Sequence, residues 1–188
     1  SGETITVAGT GAAGQLSALL GGGTATIQGD LILSADASIG SGSLINIGTA
    51  TTPRTIQGAF TLTKTGSDAV WFRGPANGTG NSVTNLVINQ GKFGIEANDN
   101  ALSGVPITIN TGGKLSSYAT SGGIATTQNN PITLNGGALA SSFDGQTYSG
   151  AVTLTANSTL SASVENNSFK VDGPIGESGG AYGLTKGE

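Results

Sequence analysis

An all-β fold wound as a parallel β-helix, or β-solenoid, with coils of roughly 20–25 residues, is predicted by three features of the chain. The first is composition: 33 glycines among abundant Thr, Ser and Asn, 10% charged residues, and no Cys, Met or His. Apolar residues come in short alternating groups such as Leu31, Ile32, Leu33 and Ile107, Thr108, Ile109, with turn residues between them, which is a strand pattern and not that of a disordered chain. The second is a strand that recurs after one lap. Pro106, Ile107, Thr108, Ile109 and Asn110 are echoed by Pro131, Ile132, Thr133, Leu134 and Asn135, an offset of 131 − 106 = 25, and glycine pairs follow at Gly112, Gly113 and Gly136, Gly137. The third is a pair of apolar columns, one through Ile88, Ile109, Leu134 and Leu154 and the other through Phe93, Leu115, Leu139 and Leu160, each stepping by 20 to 25 residues by subtraction.

Each element follows from this lap. At the start, Thr4, Ile5, Thr6 and Val7 alternate as a strand with one apolar face. Residues 12–20 are the only helix-like stretch. With Leu16, Leu19 and Leu20 they read either as a short amphipathic helix over one end of the tube or as a loop insertion. Within later strands Ile107 and Ile109 share the inward face while Thr108 faces water. Gly and Asn fall at the corners, where left-handed backbone is needed and β-branched residues resist it. Asn110 and Asn135 are equally consistent with an internal amide ladder and with solvated turns. A longer period of 147 − 26 = 121 relates the segment from Thr26 to that from Thr147. It divides the chain into an incoming partial module (1–29), a long module (30–150) and the start of the next (151–188). About eight or nine coils are expected, making a tube about 40 Å long at roughly 4.8 Å per coil.

Composition excludes several functions. A net charge of −4 without a basic cluster argues against nucleic acid and anionic membranes, and no apolar run is long enough to insert in a bilayer. Without His or Cys no Ser/His/Asp or Cys/His site can form, and the acids and bases are thinly spread, with candidate pairs such as Glu96 with Asp99 or Asp68 with Arg73 reading more simply as solvated turns, which points away from catalysis. Asp30, Asp36, Asp99 and Asp172 are oxygen ligands in principle, but the calcium-binding glycine-rich nonapeptide is missing, so neither a metal nor another cofactor is expected.

Leu62, Thr63, Lys64, Thr65 and Gly66, a strand over 69–73, Gly74, then Ala76, Asn77, Gly78, Thr79, Gly80, the strand 85–88 and Gln90, Gly91, Lys92, Phe93 resemble the autotransporter-associated β-strand repeat over about 32 residues. That resemblance implies a right-handed β-helical passenger, exported to the outside of a bacterial cell. It implies no ligand. Where the family carries small outward Thr and Ser, this chain has Trp71 and Arg73. They are the candidate surface contact, for a carbohydrate, a host or cell surface, or a partner subunit; the alternative is that a neighbouring loop folds over Trp71 as a satellite core.

The phrase of the repeat returns as Gly183, Leu184, Thr185 and Lys186. Joined to a second copy, Leu184, Thr185 and Lys186 run on into Ser1, Thr4, Ile5, Thr6 and Val7, which supply the strand that follows the phrase. These eight residues form the expected head-to-tail junction, and the expected partner is another copy of the chain, in a tandem array or a filament. An arbitrary boundary within a longer protein is the other reading. The functional expectation is a non-catalytic extracellular fibre or stalk, with an adhesin that binds through Trp71, Arg73 and the loops as the alternative.

Overall fold

The computed structural model describes residues 2–11, 18–21, 23–96, 98–118, 125–162 and 168–187. Among the described residues three sheets, whose named strands all pair in parallel, stack as a β-solenoid of about 7 coils. The first sheet runs through Ile5–Gly9, Leu31–Ser41, Thr61–Thr65, Asn85–Ile88, Ile107–Asn110, Ile132–Asn135, Val152–Ala156 and Ile175–Glu177. The second runs from Ala25–Ile27 and Ile45–Ile47 through Ala69–Phe72, Gly91–Glu96, Gly113–Tyr118, Ala138–Ser141 and Ser158–Ala162 to Leu184–Gly187. A third, shorter side is formed by Thr127–Gln128, Gln146–Tyr148 and Phe169–Val171.

The apolar columns stack in the expected register. Ile88 pairs with Ile109, Ile109 with Leu134 and Leu134 with Leu154; Phe93 pairs with Leu115, Leu115 with Leu139 and Leu139 with Leu160. Ile88, Ile109, Leu134, Phe93, Leu115 and Leu139 are completely buried, whereas Thr108, Thr133 and Thr153 are half-buried on the outer face. Because a parallel ladder puts identical positions directly above one another, a column of branched aliphatic side chains fills the tube without gaps. Glycine in left-handed backbone makes the corner after several first-sheet strands: Gly112 and Gly136 have φ of +88° and +83°. A Cβ on Gly113 would lie 2.3 Å from the carbonyl oxygen of Ile88 in the coil before it.

Two expectations are corrected. The tube has about 7 coils, not eight or nine, because the early laps are long: Leu31–Ser41 alone spends 11 residues on one strand and pairs with both Ile56–Gln57 and Thr61–Thr65. In the helix-like segment, Leu19–Gly21 is a strand paired with Ile39, Gly40 and Ser41, since a free sheet edge offers these residues a full ladder; residues 12–17 lie outside the described residues.

The third side has a polar interior. Thr126, Gln128, Asn130 and Gln146 are buried there, and their side chains bond neighbouring coils: Gln128 Nε2 donates to the Asn98 carbonyl (3.1 Å), Asn130 Nδ2 to the Val105 carbonyl (2.9 Å), and the Thr126 hydroxyl to Gln146 Oε1 (2.5 Å). Tyr148 reaches from this side to the second sheet and donates its hydroxyl to the Ala140 carbonyl (2.6 Å). Burial pushes its pKa upward, so it remains a donor.

Candidate functional site

Trp71 and Arg73 lie on the outer face of the second sheet, since Val70 and Phe72 between and beside them are fully buried. Trp71 is half-buried and stands opposite Gly94, where an added Cβ would come within 2.0 Å of its ring. Its edge meets Tyr118 with ring centroids 5.7 Å apart, Tyr118 meets Phe143 in the same way, also at 5.7 Å, and Lys92 Nζ lies 5.4 Å from the Trp71 ring. Arg73 donates to Asn46 Oδ1 (2.8 Å) and pairs with Glu96 at 2.6 Å. Trp71 and Arg73 are therefore packed against side chains of neighbouring coils, mostly on strands of the same sheet. Sequence reasoning did not single out Lys92, Lys114, Tyr118 or Phe143. The signal was the lap itself, since Trp71 and Gly94 are one coil apart and only glycine leaves room for an indole to lie flat.

Lys92 and Lys114 are in register, so two ammonium groups rise side by side from this face. The Lys92 pKa is pulled down, first by burial and second by the Lys114 charge. No carboxylate pairs with either among the described residues.

The acids considered as calcium ligands are occupied otherwise. Asp30 Oδ1 accepts from the Thr55 N–H (2.8 Å), Asp36 Oδ1 from Thr61 N–H (2.8 Å) and Asp99 Oδ1 from Thr127 N–H (2.7 Å). Each staples its own coil to the next, and Asp172 pairs with Lys170. Asp144 does the same with Ser168, whose hydroxyl and N–H together hold the carboxyl below its usual pKa. Glu96 and Asp99 are not brought together: one binds Arg73 and the other a backbone amide. Asp68 Oδ1 accepts from Ala69 N–H (2.8 Å) and not from Arg73. The described residues hold no cluster of three or more acids that could bind a metal. Asn110 and Asn135 do form an amide ladder, with Asn135 Nδ2 donating to Asn110 Oδ1 (2.9 Å) and Asn110 Nδ2 to Asn89 Oδ1 (2.7 Å), but it runs along the outside.

Lys64 occupies an inward place in the first sheet, in register with Ile39 and Ile88, and is fully buried. Its ammonium donates to the carbonyls of Thr65 (2.5 Å), Gly66 (2.8 Å) and, in the next coil, Gln90 (3.0 Å). Burial lowers its pKa to about 8 against the opposing pull of Asp68. The second copy of the phrase is placed differently. Leu184–Gly187 belongs to the second sheet, and Lys186 stands in register with Leu160, below the inward column of Phe93, Leu115 and Leu139, yet is exposed.

Of the other junction residues, Ile5, Thr6 and Val7 pair with Leu31, Ile32 and Leu33 on one side only; Thr4 is exposed and Ser1 lies outside the described residues. At the opposite end Leu160, Ala162, Phe169, Val171 and Leu184 line a groove of about 430 Å³, and Ile175 is 49% exposed. The chain matches no known protein family, no characterised protein and no solved structure.

Proposed function

We propose that this chain is a non-catalytic structural segment, a rigid β-solenoid rod extended head to tail outside a bacterial cell. The observation that carries the reading is the stack of about 7 parallel coils itself, in which inward columns such as Ile88, Ile109, Leu134 and Leu154 are buried against the coils beside them, so that each coil face offers apolar side chains and ladder edges to a neighbour. Apolar surface and unpaired ladder edges of this kind bind a further coil, because each coil of a solenoid buries its inward side chains only against its neighbours. In such an extension Ile5–Gly9 continues the first sheet beyond Ile175–Glu177, and Ala25–Ile27 continues the second beyond Leu184–Gly187. A contact between two different faces that does not close makes an open fibre. The resemblance to the autotransporter-associated repeat supports an exported, surface-displayed rod. Electron microscopy of the native material tests this: continuous filaments with a regular axial repeat are expected, and discrete short rods at all concentrations would sink it.

One observation favours a second reading, an adhesin that binds carbohydrate. Lys92 and Lys114 are adjacent on the face that also carries Trp71, which suits acidic sugars. Glycan-array binding that weakens in Lys114→Gln would support it over a purely mechanical role.

A further inference from the structure

The two arginines of the chain differ in how they are satisfied. Arg73 is held by Glu96 and Asn46. Arg54 is half-buried, its Nε is sealed from solvent without a hydrogen-bond partner, and no carboxylate pairs with it among the described residues.

Arg54 borders a cavity of about 400 Å³ whose other walls are Gly2, Gln28, Gly48, Thr49 and Thr52. The lining is polar, with no carboxylate in it. Its shape is set by backbone. Thr49 and Thr52 exchange N–H to carbonyl bonds of 3.1 and 3.2 Å, and the Thr52 N–H also donates to Thr49 Oγ1 (3.0 Å), closing a tight loop. Both arms of the loop are tied to neighbouring coils, Gly48 N–H to the Ile27 carbonyl (2.9 Å) and Arg54 N–H to the Arg73 carbonyl (3.0 Å). Gly48 has φ of +77°, and on the opposite wall a Cβ on Gly2 would strike the Gln28 carbonyl at 1.9 Å, so both glycines are needed for the walls to stand where they do.

We propose that this cavity is a binding site for an oxyanion, a carboxylate, sulfate or phosphate group. The planar guanidinium offers a fork that matches two oxygens of such a group, and the Thr49 and Thr52 hydroxyls and the Gln28 amide are further donors on the same cavity. An anion there neutralises the arginine that no carboxylate pairs with among the described residues. The inference stands independently of whether the rod extends head to tail.

The test is a titration of the ¹⁵N-labelled full chain with sodium sulfate, sodium phosphate and galacturonate, at constant ionic strength with chloride as reference, following the Arg54 Nε–Hε resonance. A saturable shift at Arg54 together with the Thr49 and Thr52 amides is expected, with millimolar affinity, and chloride should not reproduce it. Arg54→Lys should weaken binding about tenfold and Arg54→Gln abolish it, while Arg73→Gln leaves it unchanged. Thr52→Val, which retains the loop's shape, should weaken it severalfold even if the Arg54 variants fail to fold. A linear response, an equal response to chloride, or unchanged affinity in Arg54→Gln or Thr52→Val would overturn the assignment. Tighter binding of an oligogalacturonide than of the monomer would identify the anion as part of a polysaccharide; equal binding would identify a free ion.

Discussion

Lys64 and Lys186 stand at comparable inward places of two different columns, and their surroundings could hardly differ more. Above Lys64 the next coil supplies Ile88 in register and the Gln90 carbonyl as an acceptor, so the ammonium is sealed in the tube. Lys186 lies in the last of the described coils, and the same kind of side chain is exposed there beside an apolar groove. The difference teaches that position in the lap decides which way a side chain points, whereas burial is conferred by the neighbour. A coil of this protein is half a structure until another is stacked on it.

The largest expected effect breaks the comparison at its centre. Phe93→Ala should destabilise the chain by about 3–5 kcal/mol and Leu115→Ala by about 2–5 kcal/mol, because a cavity opens where neighbours on both sides are fixed. Leu184→Ala, in the uncovered coil, should cost about 1 kcal/mol or less in the isolated chain. Denaturant melts of the three variants check this. Equal losses would mean that the last coil is as well packed as the middle.

The second prediction concerns the sealed lysine. In the folded chain Lys64 titrates at about 8, below its ordinary value of 10.5. Between those pH values the unfolded chain holds a proton that the folded chain has released, so raising the pH through this window stabilises the fold, and below pH 8 the dependence vanishes. The stability of the wild-type protein minus that of Lys64→Met, measured by melts from pH 7 to 11, should rise across the window.

How much of this was legible in the sequence depends on the kind of information. Lap length and register were readable, because parallel stacking repeats the same position and Ile109, Leu134 and Leu154 announce themselves as a column. The wide strand Leu31–Ser41 was not, since its partners Leu19–Gly21, Ile56–Gln57 and Thr61–Thr65 lie at unequal distances and leave no period. Trp71 and Arg73 were legible as departures from the pattern, but the Lys92, Tyr118 and Glu96 that engage them were not, because outward columns carry no hydrophobic signature. Asp30 and Asp36 could be read only as oxygen ligands in principle. That each carboxylate caps an amide in the next coil is a fact of three dimensions.

Smaller effects sharpen the picture of how coils are joined. Asp36→Ala should cost about 1 kcal/mol by freeing the Thr61 N–H, and Asp36→Asn should retain most of it, since an amide oxygen accepts equally well in that geometry. Thermal melts of the pair separate the hydrogen bond from the charge. Smallest of all, a double-mutant cycle on Arg73→Ala and Glu96→Ala should give a coupling of about 0.2–1 kcal/mol that declines with salt, as for other partly exposed ion pairs.

The most direct test of head-to-tail extension is the reactivity of the two lysines. Two copies joined in tandem, Glu188 to Ser1, are treated with an amine-acetylating reagent and read by mass spectrometry. The account predicts that Lys64 is protected in both copies and that Lys186 is protected in the first copy but reactive in the second. Equal reactivity of Lys186 in both copies, with Lys64 still protected, would contradict it and leave the last coil without a partner of its own kind.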